Sequence, residues 1–220
     1  MRTRCDISAK FDVGSILAKL AEPTCAERAA EVPERRLAAW ANAMARLRGY
    51  RHSPETLGAL HGYLAGYGLL VFGGVGTGKT EFFRAVSAAG RTAGRAPVAL
   101  WPMMDCAGRT VAAIREAFAS LRDREVVLDD VGAEPKFSDY GSRWEILPWL
   151  IELRMASPER THFTTNLTAR ELEARYGART VDRMHEMAAS VAFAGKSRRR
   201  TRPNALAVRA WDAAKEGIPA

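Results

Sequence analysis

The sequence predicts an α/β fold, a five-stranded parallel sheet between helices built around a glycine-rich loop. Three observations carry that expectation. From residue 69 onward, short apolar runs alternate with amphipathic helical stretches. The stretch "GGVGTGKT", residues 73–80, lies between one such run and a helix. A later apolar run ends in two adjacent acids, Asp129 and Asp130.

Residues 1–50 are rich in alanine and charge. "ERRLAAWANAMARLRG" spaces Leu37, Trp40, Met44 and Leu47 by three and four, which predicts an amphipathic helix stopped by Gly49. Pro23 and Pro33 break the chain before it, so this segment reads as a small helical appendage. In "SPETLGALHGYLAGYG", Ser53 can cap a helix, Pro54 suits its first position and Glu55 the positive end of its dipole. Leu57, Leu60 and Leu64 form its apolar face. "LLVF" then predicts a buried strand, and "KTEFFRAVSAA" a helix with Phe82, Phe83 and Val86 inward. "PVALW" is a second strand. "RTVAAIREAFASLRD" is a helix with Val111, Ile114, Phe118 and Leu121 on one face. "EVVLDD" is the third strand, and "RWEILPWLIELRMA" a helix in which Pro148 starts a turn or makes a kink. "THFTTN" is the fourth strand, followed by helices in "TARELEARYG" and "RTVDRMHEMA" and a fifth strand in "SVAFAG". Strands alternating with helices imply a parallel sheet covered on both faces.

The 220 residues suffice for one core domain and a smaller appendage. The boundaries fall at 1–50 for the appendage, 51–202 for the sheet domain and 203–220 for a tail. Hydrophobic residues at 47% and charged residues at 26% suit a soluble globular chain. No apolar run approaches the roughly 20 residues that span a bilayer. The first 20 residues lack a continuous apolar core, so no secretory signal is expected and the predicted location is cytoplasmic. Cys5, Cys25 and Cys106 are far apart and form no CxxC, which suits a reducing compartment and argues against zinc. The net charge of +8 favours polyanionic partners, chiefly nucleic acid. The densest basic cluster is "GKSRRRTRP", residues 195–203.

The glycine-rich stretch fits a phosphate cradle, Gly73, Gly74, Val75, Gly76, Thr77, Gly78, Lys79 and Thr80, with Glu81 next on the helix. Glycines let backbone N–H groups surround phosphate oxygens, and the helix N-terminus adds its dipole. Lys79 can reach the terminal phosphates and the Thr80 hydroxyl can hold Mg²⁺. Asp129 and Asp130 end a strand where ligands of parallel sheets sit. Asp129 would hold Mg²⁺ through water, and Asp130 would orient or deprotonate the attacking water. Asn166 follows a strand expected beside the phosphate-loop strand, where an amide can reach both the γ-phosphate and that water.

Taken in order, "GGVGTGKT", "VVLDDVG", "FTTNL", "RYGARTVDRM" and "FAGKSRR" resemble the AAA+ ATPases of the bacterial helicase-loader group, a branch of the P-loop NTPases that includes DnaC, DnaI and the transposition helper IstB. The resemblance spans roughly residues 53–200. It implies Walker A roles for Lys79 and Thr80, Walker B roles for Asp129 and Asp130, and a sensor 1 role for Asn166. It implies that Arg183 is an arginine finger reaching the ATP of a neighbouring subunit, so that the ATP-bound protein is a homo-oligomer. A surface ion pair with Asp182 is the plainer reading of that arginine. Arg199 best matches the sensor 2 arginine, with Arg198 one residue away as the alternative. "SDYG", residues 138–141, resembles the group's "NYG" after Walker B. The chain after residue 202 is too short for a separate lid domain, as is typical of the group. The implied cofactors are ATP and Mg²⁺, and the implied partners are single-stranded DNA and a replicative helicase, with a transposase as the alternative client. The first 50 residues match nothing in the group and are expected to choose the client. Two other classes stay open: a nucleotide-dependent binding module with negligible turnover, and a small-molecule kinase. Asp129–Asp130, Asn166 and the late arginines favour water over a kinase acceptor.

Overall fold

A computed structural model describes residues 32–139, 142–195 and 197. Most of the N-terminal segment, Tyr140 and Gly141 of "SDYG", Arg198, Arg199 and the tail lie outside the described residues. Among the described residues no helix is long and apolar enough to cross a membrane.

Helices α1 (Glu34–Arg48) and α2 (Pro54–Ala65) precede strand β1 (Gly68–Phe72) and helix α3 (Lys79–Thr92). Strand β2 (Ala99–Pro102) leads through a short 3₁₀ turn to α4 (Val111–Ala119) and β3 (Val126–Val131). A hairpin of β4 (Phe137–Asp139) and β5 (Ser142–Trp144) comes before α5 (Ile146–Met155). The chain closes with β6 (Thr161–Thr165), α6 (Ala169–Tyr176), α7 (Ala178–Met187) and β7 (Ala188–Ala192).

Five strands form one parallel sheet in the order β2-β3-β6-β1-β7. All five expected strands are in it. Successive residues of a strand face opposite sides, and the two cores follow that alternation. Leu69, Val71 and Val127 pack with α1, α2 and α3 on one face. Leu70, Val126, Leu128 and Phe163 pack with α4 to α7 on the other. Pro102 is tolerated because β2 is an edge strand with β3 as its one partner.

Three local expectations change. The helix at residues 34–48 is not set apart from the sheet domain. Its Leu37, Trp40 and Met44 are buried in the same core as Phe82 and Phe83 of α3, so the described part of the appendage, residues 32–50, packs onto the domain. The Trp40 ring lies over Gly90 of α3, within van der Waals reach of where a Cβ would sit. Pro148 is the third residue of α5, in its first turn, where the backbone N–H has no partner inside the helix in any case. The helix also starts three residues later than its sequence suggests, because residues 142–144 pair with residues 137–139 and the Trp144 ring packs 5.3 Å from that of Phe137.

A buried arginine ties the far side of α5 to the sheet. Arg154 is 2% exposed. It donates to the Thr161 hydroxyl at 2.9 Å and to the carbonyls of Leu121 at 2.8 Å and Arg124 at 3.0 Å. Arg154→Met leaves these acceptors without a donor and is expected to lower stability by about 3 kcal/mol. Urea denaturation checks it, with Arg154→Lys expected to lose less.

Candidate functional site

Three strand ends build the site. β6 lies between β1 and β3, so the residue after β6, Asn166, falls between the glycine loop after β1 and the acids at the end of β3. This is the neighbourhood of β1 and Asn166 that the sequence suggests.

The loop from residue 73 to 78 is tight enough to require glycine at two points. A Cβ on Gly73 would sit 2.3 Å from the Phe193 carbonyl oxygen, and one on Gly76 would sit 2.1 Å from the Ser197 Oγ, at a φ of 81°. Side chains at those positions would collide with the Phe193 backbone and with Ser197, so the loop could not keep this path. The Thr77 hydroxyl closes the loop by donating to the Gly74 carbonyl at 3.0 Å. Lys79 folds back into it. Its Nζ donates to the Gly73 carbonyl at 2.8 Å, the Gly74 carbonyl at 3.0 Å and Asn166 Oδ1 at 2.6 Å.

The acids join the same network. Asp129 Oδ1 accepts from the Thr80 hydroxyl at 3.0 Å and the Thr164 hydroxyl at 2.6 Å. Burial pushes the Asp129 carboxyl above its ordinary value; those two hydroxyls oppose the rise and the charge of Asp130 adds to it. Asn166 Nδ2 donates to Asp130 Oδ1 at 3.2 Å. The Asn166 amide is thus fixed at both ends, its oxygen toward the ammonium and its nitrogen toward the carboxylate.

A cavity of about 960 Å³ opens over these groups, lined by Val75, Gly76, Gly78, Lys79, Thr80, Glu81, Asp130 and Asn166. It is within the roughly 300–1,000 Å³ of ligand pockets and large enough for a nucleotide. Its other wall is residues 47–52 and Arg84, which the sequence reading leaves out. The signal available was modest: Tyr50, Arg51 and His52 form a short aromatic and cationic stretch between two helix boundaries. Glu81 lines the cavity and is also bonded to α1. It accepts from Arg48 Nε at 3.0 Å and NH2 at 3.3 Å and so ties α1 to the phosphate-loop helix.

The donors suit a phosphate chain and a hard cation. The glycine positions leave the cradle free of side chains, and an ammonium lies beside it. Thr80 and Asp129 offer hydroxyl and carboxylate oxygens, the donor type that Mg²⁺ takes. Arg183 is elsewhere. It lies on α7 and forms an ion pair with Glu152 of α5 rather than with Asp182, and it does not line the cavity.

No protein-family model matches the chain, and no curated protein matches it. Among solved structures, it is similar to the crystal structure of the DnaC helicase loader, with 21% identity and a TM-score of 0.47 over 78% of this chain and 99% of that one. It is similar to a primosome component from Streptococcus pyogenes serotype M3, with 19% identity and a TM-score of 0.46 over 84% of this chain and 98% of that one. It is also similar to DnaI, with 18% identity and a TM-score of 0.46 over 83% of this chain and 94% of that one.

Proposed function

We propose that the chain is a Mg²⁺-dependent ATPase of the AAA+ helicase-loader type that acts in DNA replication in the cytoplasm. In this reading it assembles with copies of itself around ATP and grips single-stranded DNA or a replicative helicase. One observation carries the ATPase part: Lys79, Asn166, Asp130, Thr164, Asp129 and Thr80 are linked by hydrogen bonds across three adjacent strand ends, beside a loop that requires glycine at two positions. The loader part rests on the order of the five motifs, and the transposition helper is its alternative. The basic excess supports a polyanionic partner.

Lys79 would give up its carbonyl and amide contacts for the β- and γ-phosphates, which form stronger charge-assisted bonds. Asn166 would hold the lytic water and γ-phosphate with the amide that it now holds between Lys79 and Asp130. Asp130 would take a proton from that water. Thr80 and Asp129 would hold Mg²⁺, which neutralises phosphate charge when bound.

Incubation with ATP and Mg²⁺, with and without single-stranded DNA, tests the reading. Release of free phosphate is expected. Nucleotide binding without turnover would favour the binding-module reading, and a phosphorylated acceptor would favour a kinase.

A further inference from the structure

The pairing of β3 with β6 is interrupted where the acids sit. Leu128 pairs with Phe163, and pairing resumes at Val131 with Thr165. Three steps along β3 therefore match two along β6, which is a bulge with an extra residue. Asp129 and Asp130 together stand opposite Thr164, and among the described residues Asp130 is the one non-glycine with a positive φ, at 56°. In a regular strand, neighbouring side chains face opposite ways. Here Asp129 meets Thr80 and Asp130 lines the cavity, so both serve one site.

A bulge leaves a backbone N–H without its ladder partner, and burying such a group is costly. Thr164, fully buried on β6, supplies the missing partner. Its hydroxyl oxygen accepts the Asp130 N–H at 2.9 Å, and its proton goes to Asp129 Oδ1 at 2.6 Å. A single hydroxyl thus holds the backbone of one acid and the carboxylate of the other. We propose that Thr164 is a positioning residue that maintains the bulge and so sets the geometry of both acids toward Mg²⁺ and water; this rests on the ATPase reading above. Only threonine and serine offer a donor and an acceptor on so short a side chain. Thr165 is the internal contrast: its hydroxyl donates to the Val131 carbonyl at 2.7 Å on the other side of the bulge, with no bond to either acid.

The test uses the full chain, with a fluorescent ADP analogue titrated in EDTA and over a Mg²⁺ series. Thermal midpoints and ATP turnover are measured alongside. Thr164→Val is expected to bind nucleotide in EDTA like the wild type, yet to need about 10- to 100-fold more Mg²⁺ for the tightening that Mg²⁺ produces, the usual cost of losing a group that orients a metal ligand. Thr164→Ser is expected to restore the wild-type requirement. Thr165→Val is expected to lower the thermal midpoint and leave the Mg²⁺ requirement in place. A wild-type Mg²⁺ requirement in Thr164→Val would overturn the proposal alone, as would equal losses with and without Mg²⁺. If Thr164→Val does not fold, the serine variant decides, since a large shift despite a retained hydroxyl overturns the proposal and a wild-type requirement supports it. A wild type that binds no nucleotide would overturn this proposal together with the ATPase reading.

Discussion

Lys79→Ala is expected to weaken nucleotide binding by about 100-fold or more, the largest loss from any single substitution in the site. The magnitude follows from where the ammonium lies. Lys79 is 5% exposed, and its ammonium donates to two backbone carbonyls and the Asn166 amide oxygen. Phosphate oxygens offer full charge to the same donor, and truncation removes that gain of roughly 2–5 kcal/mol. Lys79→Arg is not expected to rescue. A planar, bulkier guanidinium presents its donors in a fixed fork, not as the compact point charge of the buried ammonium. Equilibrium titration with a fluorescent ADP analogue measures the loss. Thermal denaturation gives an independent check, since ADP at a concentration that saturates the wild type raises its midpoint and is expected to raise that of Lys79→Ala far less. An alanine variant that binds like the wild type would remove the cradle assignment.

The parts of this site legible in the sequence are those fixed by neighbours along the chain. Glycines at 73, 76 and 78 before Lys79 define a loop whatever the sheet does, and two acids closing an apolar run identify a strand end. Asn166 was readable because its strand had to lie near β1. The wall from residue 47 to 52 was not, because it meets the phosphate loop through the packing of α1 on α3, where Leu37, Trp40 and Met44 share a core with Phe82 and Phe83 some forty residues away. Thr164 hides for a related reason. A threonine within "THFTTN" reads as an ordinary β-branched strand former. Its role appears only once β6 is paired with a bulged β3, and a bulge leaves no periodicity for the sequence to show. The hairpin at residues 137–144 escapes because its strands are three residues long, too short for alternation to register. At the start of α5, helix periodicity overreached for the opposite reason: Trp144 and Leu147 stand three apart, as on one helix face, yet Trp144 is taken by Phe137 across the hairpin.

Arg183→Ala is expected to leave nucleotide affinity near that of the wild type and to lower turnover about 1,000-fold, the scale of losing an arginine that stabilises phosphoryl charge. The structure frames why this arginine would act on a neighbour. It lines no part of its own chain's cavity, and Glu152 holds it against α5. The helix pair that carries it is fastened to the loop after the acids. Arg175 donates to the carbonyls of Gly132 and Glu134 and pairs with Glu145 at 3.0 Å, and the Tyr176 hydroxyl donates to the buried Glu134 carboxylate. These bonds fasten α6, which leads directly into α7, to the loop that follows Asp129 and Asp130. An arginine so placed can serve a nucleotide across a subunit contact once it leaves Glu152, because a guanidinium keeps its charge and its fork of donors in either partnership. Mixing tests this directly. Lys79→Ala retains Arg183 but lacks a working cradle, and Arg183→Ala retains the cradle but lacks the arginine. Each alone is expected to be nearly silent, and the equimolar mixture to recover turnover that rises with protein concentration. Glu152→Gln, which loosens the arginine without removing it, is expected to keep turnover. A silent mixture, with both variants folded and Arg183→Ala still binding nucleotide, would show that the arginine acts within its own chain or not at all.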